Sequence, residues 1–155
     1  MSWCIEMSRI VRGLIKDFGS PPLYSDERLK ELICTGAAFV LMEVDFDIVY
    51  TVNLSSFTIS PDPDADFQAL VSLKTACIIA TGEFRDAARN SVSVKDGPAT
   101  IDMKERGKLM KDVAKWACDA YNKARLGFLV GDGSLGRAIV GPYAIGMGEN
   151  TATYR

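Results

Sequence analysis

Residues 25–44 read SDERLKELICTGAAFVLMEV, and this stretch decides the class of the fold. Ser25 has the short hydroxyl that suits a helix N-cap, and Asp26 and Glu27 follow where the positive end of the helix dipole favours carboxylates. Leu29, Leu32, Ile33, Gly36, Ala37, Val40, Leu41 and Val44 then recur at three- and four-residue steps, the period of one helical face. Gly36 is the odd member. A glycine costs about 1 kcal/mol in an exposed helix, but on a buried stripe the close approach of a neighbouring helix can offset that. The stretch predicts an amphipathic helix packed against another helix.

Upstream, Trp3, Met7, Ile10, Val11, Leu14 and Phe18 fall on one helical face, with Ser2 as a cap, Gly19 as a terminus and Pro21-Pro22 blocking continuation. Downstream, Ile48, Tyr50, Val52 and Leu54 alternate with Val49, Thr51 and Asn53. Phe57-Thr58-Ile59 offers a return strand, so a β-hairpin is expected at about 47–60. Ser60-Pro61-Asp62-Pro63-Asp64 breaks that pattern. A long helix is predicted from about Ala65 to Arg89, its inner side formed by Phe67, Leu70, Val71, Cys77, Ile78, Thr81, Phe84 and Ala88. Lys95-Asp96-Gly97-Pro98 is a turn signal. The last helix is predicted to start at Thr100 or Asp102, with Met103, Gly107, Met110, Ala114, Ala117, Tyr121 and Ala124 on its inner stripe. Val113 and Trp116 widen that stripe, and Gly127 ends it. The expected fold is mainly α: a four-helix domain at 1–127 with one hairpin insertion between helices 2 and 3, then a glycine-rich arm at 128–155.

The arm has an unusual composition. Seven of the chain's 13 glycines lie in residues 127–155, and only Asp132, Arg137, Glu149 and Arg155 are charged there. Phe128, Leu129, Val130, Leu135, Ile139, Val140, Tyr143 and Ile145 are apolar. Glycine at this density disfavours an isolated helix, while ordinary disordered tails are polar. These eight side chains are therefore candidate partner-binding residues, covered either by the chain's own helices or by a neighbouring subunit. Tyr50, Val52, Leu54 and Phe57 of the hairpin are a second candidate contact.

Chemical sites are hard to find. The chain has 155 residues, 48% apolar and 25% charged, with a net charge of -2 and no histidine. The commonest general base and transition-metal ligand is thus missing. The net charge gives no basic footprint for nucleic acid. Gly131-Asp132-Gly133-Ser134-Leu135-Gly136 has the glycine spacing of a dinucleotide-binding turn, but it follows a helix rather than a strand, so the context fails. Asp62, Asp64 and Asp66 alternate as in a calcium loop, yet Phe67 and Leu73 stand where glycine and a carboxylate are needed. A helix start accounts for these aspartates. The four cysteines, Cys4, Cys34, Cys77 and Cys118, lack zinc spacing and are expected to be reduced thiols acting as small buried hydrophobes in a cytoplasmic product. Met1-Ser2-Trp3-Cys4-Ile5-Glu6 has no basic start, so no secretory leader is expected, and no stretch approaches the roughly 18 apolar residues of a membrane span. Lys104, Lys108, Lys111 and Lys115, with Arg106, lie on the outer face of the last helix, interrupted by Glu105 and Asp112. No enzyme activity and no cofactor are expected.

With that layout in place, the chain resembles the head–tail connector (adaptor, or neck) proteins of tailed bacteriophages. The resemblance rests on Tyr24-Ser25-Asp26-Glu27-Arg28-Leu29 opening a helix, on the hairpin from Tyr50 to Ser60, and on Asp66-Phe67-Gln68-Ala69-Leu70. It extends through Gly97-Pro98-Ala99-Thr100-Ile101-Asp102-Met103 into the helix carrying Trp116 and Tyr121, and covers most of residues 5–127. It implies a structural subunit made in the host cytoplasm and built into the virion neck. Copies would form a ring beneath the portal protein, dock the tail or its terminator protein, and extend the DNA channel, with neither cofactor nor membrane contact. Lys104, Lys108, Lys111 and Lys115 would then be candidate channel-facing residues in non-specific contact with packaged DNA. Two alternatives stay open: another tail-completion or capsid-associated assembly protein, or a helical DNA-binding regulatory module.

Overall fold

The structure is a computed structural model, and it describes residues 2–89, 95–96, 99–100 and 103–130, with side chains for 3–89 and 107–130. Among the described residues, four helices and two small antiparallel ladders follow in order: α1 (Ser2–Ile15), α2 (Asp26–Glu43), β1 (Thr51–Asn53), β2 (Thr58–Ser60), α3 (Ala65–Arg89), β3 (Lys95–Asp96), β4 (Ala99–Thr100) and α4 (Met103–Val130). The fold is mainly helical, with the hairpin between α2 and α3 where the alternation places it. Backbone packing divides the chain into two units, Met1–Asn122 and Lys123–Arg155, a boundary that falls inside α4.

α3 is the central helix of the first unit. It packs on both α1 and α2, which also touch each other, so it is buried on more than one side, at Phe67, Leu70, Val71, Ser72, Thr75, Ala76, Ile79 and Ala80. This corrects the expected inner face. Cys77, Ile78, Thr81 and Phe84 are half-buried and Ala88 is exposed, because a helix with neighbours on two sides does not obey a single stripe. From α2 come Leu29, Ile33, Cys34, Gly36, Ala37 and Val40, and from α1 Trp3, Met7 and Val11. Full burial of a Leu, Ile, Val, Phe or Met side chain contributes about 1.5–3 kcal/mol, so these bulky residues account for most of the core's stability.

Gly36 behaves as its place on the stripe requires. A Cβ there would collide with Thr75 Oγ1 and lie 3.4 Å from the Thr75 amide nitrogen. The missing side chain is what lets α2 and α3 approach. Thr75 is itself fully buried and donates its hydroxyl to Val71 O at 2.8 Å.

The caps follow local chemistry. Ser25 is the N-cap of α2 and its hydroxyl accepts from Arg28 N at 3.2 Å. Asp64 caps α3, its carboxylate accepting from Phe67 N at 2.8 Å; this is the use found for the middle aspartate of the calcium-like run. α1 stops at Ile15, short of the expected Gly19. Lys16 adopts a left-handed φ of 57° and Asp17 N donates to Arg12 O at 3.0 Å, closing the helix end. Asp17 also accepts from Leu23 N (2.7 Å), Tyr24 N (3.2 Å) and Arg12 (2.7 Å). Arg12 in turn reaches Asp26 and Tyr24 O. The chain is thereby drawn from α1 into α2, leaving Phe18 76% exposed; Ile10, 43% exposed, also lies off the core face.

The hairpin pairs Thr51 with Ser60, Val52 with Ile59 and Asn53 with Thr58. Asn53 Oδ1 accepts from Ser55 N and Ser56 N, shaping the turn. Ile59 is buried, and Tyr50 stacks on Phe67 at 4.2 Å while Phe46 meets both rings edge-on. The turn signal at 95–98 has a second, two-residue ladder around it, Lys95 with Thr100 and Asp96 with Ala99, in addition to the one hairpin expected.

Candidate interaction surface

α4 begins at Met103 and continues to Val130, past the glycine expected to end it. Its part within the first unit has three sectors. Ala114, Ala117 and Tyr121 are buried and Met110 is half-buried, forming the inner stripe. Leu109, Val113 and Trp116 are 66%, 53% and 60% exposed. With half-buried Ala120 they follow the same four–three–four steps one residue earlier, a rotation of about 100° around the helix. Lys108, Lys111, Asp112, Lys115 and Asp119 are exposed in the remaining sector. Val113 and Trp116 thus do not widen the buried stripe as expected. They belong to a second, solvent-facing apolar stripe.

What holds α4 in place differs from what holds the core. Ala114 and Ala117 pack with Ala80, against Cys77 and Phe84 of α3. Small side chains let the backbones approach, and Cys77 and Cys118 lie with Cα atoms 4.7 Å apart, joined as a disulfide. This corrects the expectation of four reduced thiols. Cys34, fully buried, fits that expectation, with burial pushing its thiol up to about 11; Cys4 is free and half-buried. The second tie is polar. Tyr121 donates its hydroxyl to Glu43 Oε2 at 2.7 Å, and Lys74 pairs with Glu43 Oε1 at 2.6 Å while its ammonium lies 4.6 Å from the Tyr121 ring centre.

The expected site residues divide accordingly. Lys108, Lys111 and Lys115 share one exposed sector, with Asp112 and Asp119 among them, so its charge is mixed; the side chain of Lys104 lies outside the described residues. Of the hairpin candidates, Tyr50 is 5% exposed and committed to its own core, its hydroxyl accepting from Asp64 N at 3.3 Å. Val52 and Phe57 are half-buried and Leu54 is 51% exposed, so of these four candidates Leu54 at the hairpin tip offers the most apolar surface; Val49, ahead of β1, is 83% exposed. In the second unit, Phe128, Leu129 and Val130 form the last turn of α4, with Leu126 and Leu129 54% and 53% exposed. Leu135, Ile139, Val140, Tyr143 and Ile145, and the glycine-spaced turn at 131–136, lie outside the described residues.

Sequence reasoning missed the outward role of Leu109, Val113 and Trp116. The available signal was width: two apolar stripes of identical period, one residue apart, cover more of a helix than one neighbour can bury. The described residues include no cluster of three or more His, Cys, Asp or Glu side chains suited to a metal, and no helix long and apolar enough to cross a membrane. A cleft of about 290 Å³ beside Cys4, Ser8, Arg9, Arg12 and Asp26 has its half-buried Arg12 guanidinium already engaged by Asp17, Asp26 and Tyr24 O. No protein-family model, curated protein or solved structure matches the chain.

Proposed function

We propose that the chain is a structural assembly subunit, a neck protein of a tailed bacteriophage that forms a ring beneath the portal and joins capsid to tail. The observation that carries this reading is the outward stripe of α4. A tryptophan, a leucine and a valine at one helical spacing, each more than half exposed, form an apolar strip of the kind that marks protein contact rather than solvent. In a closed ring each subunit presents one surface to a different surface of the next, and the stripe is the face that meets the adjacent copy. The apolar composition of residues 131–155 and the exposed Leu54 at the hairpin tip supply further contacts, to a neighbouring copy, the portal or the tail terminator. The lysine sector of α4 would face the channel. Its interleaved aspartates suit DNA that slides past better than DNA held in a fixed register.

The test is physical location. Mass spectrometry and electron microscopy of purified phage particles whose genome encodes this chain should find it in several copies per particle, at the neck. Its absence from particles, or salt-sensitive binding of the isolated chain to one DNA sequence, would overturn the reading in favour of a regulatory module.

A further inference from the structure

We infer that Cys77 and Cys118 form a redox latch that sets how firmly α4 is held on α3. This inference does not depend on the neck reading. Three observations carry it. The two cysteines are 41 residues apart in sequence, and the crossing of α3 and α4 alone brings their Cα atoms to 4.7 Å. The seam around them is built largely of Ala80, Ala114 and Ala117, with half-buried Phe84 and buried Tyr121 as its bulky members, a thinner contact than the row of Leu29, Ile33 and Val71 that fastens α2 to α3. And both cysteines are half-buried, whereas Cys34 is fully buried. The bridge thus lies nearer solvent than Cys34 does, and exposure is one of the conditions that separate labile disulfides from inert ones.

The chemistry is thiol–disulfide exchange. A thiolate of a dithiol reductant attacks one sulfur of the bridge, giving a mixed disulfide and releasing the other cysteine as a thiolate, which takes up a proton. The reductant's second thiol then displaces the remaining cysteine. The bridge gains two electrons and two protons, and the reductant leaves as its own disulfide. With the bridge open, α4 is held by the alanine seam and by the Tyr121–Glu43 hydrogen bond. Its opening equilibrium then rises while the α1–α2–α3 core stays closed. The helix that opens carries Leu109, Val113 and Trp116, so the redox state governs whether that stripe is presented on a fixed or a loosened helix.

Hydrogen exchange followed by mass spectrometry on the full chain tests this, comparing air-oxidised protein with protein treated with dithiothreitol. After reduction the amides of Ala114–Tyr121 should exchange at least about tenfold faster, with those of Ile33–Val40 unchanged, and oxidised glutathione should restore the slow rate. The Cys4→Ser/Cys34→Ser variant should respond as the wild type does, and Cys77→Ser should exchange fast with or without reductant. Four titratable thiols in the oxidised sample would overturn the latch. So would α4 exchange that ignores reductant, or a rise shared equally by α2 and α4, which would make the bridge a global staple. Because the wild type itself carries the reductant comparison, a Cys77→Ser chain that fails to fold leaves the test intact.

Discussion

The α1–α2–α3 core and α4 are both helical, but they are held by different means. The core is closed by bulky side chains, with Leu29, Ile33, Val11, Phe67 and Val71 at or near zero exposure, and one glycine admits a close helix crossing. α4 is attached through alanines, a disulfide and a tyrosine–glutamate–lysine tie, and it leaves a row of large apolar side chains in water. The contrast separates a part closed by bulky packing from a part fastened by a few specific ties.

The largest effect should come from the bridge. Closing a loop across a separation of 41 residues contributes about 4 kcal/mol in the chain-entropy view. The opening free energy of α4, read from hydrogen exchange at Ala114–Tyr121 in oxidised wild type against Cys77→Ser, should show most of that loss while the α2 amides stay unchanged, and equal values would erase the distinction between the two regions. Gly36→Ala tests the other side. With Thr75 in the way the added methyl should cost about 2 kcal/mol by overpacking, even though alanine is the better helix former, and a stabilised variant would mean the α2–α3 crossing is loose. Tyr121→Phe removes a hydrogen bond to a charged acceptor and should cost about 1.5 kcal/mol, raising exchange in α4 more than in α2.

The smallest effect is confined to acid. Asp17 is held below its usual 3.8, first by the Leu23 amide and further by Tyr24 N–H and Arg12, with burial opposing. A depressed carboxyl contributes stability that is complete above the unfolded-state value and is lost as pH falls through the folded one. Melting temperature should therefore drop more steeply below about pH 4 in wild type than in Asp17→Asn. Parallel acid limbs would remove Asp17 from the clip between α1 and α2.

Local chemistry made much of this legible in advance. The Ser25 cap, the α2 stripe, the role of Gly36 and the position of the hairpin all depend on residues close in sequence, where periodicity and turn chemistry act directly. What escaped was set by distant partners. α1 ends early because Arg12 and Asp17 tie to residues 23–26; Cys77 meets Cys118 only because two alanine-rich faces cross; and Tyr50 turns inward because Phe46 and Phe67 stack around it. The outward stripe escaped for a related reason. Leu109, Val113 and Trp116 have the same period as Met110, Ala114, Ala117 and Tyr121, and only the position of α3 decides which row is covered.

Sedimentation velocity of the full chain over rising concentration, alongside Trp116→Glu, probes the outward stripe most directly. The wild type should shift to species several times the monomer mass, and the variant should remain monomeric with an unchanged melting temperature. A wild type that stays monomeric throughout, or a variant that associates equally well, would contradict the assignment of that face to contact between copies.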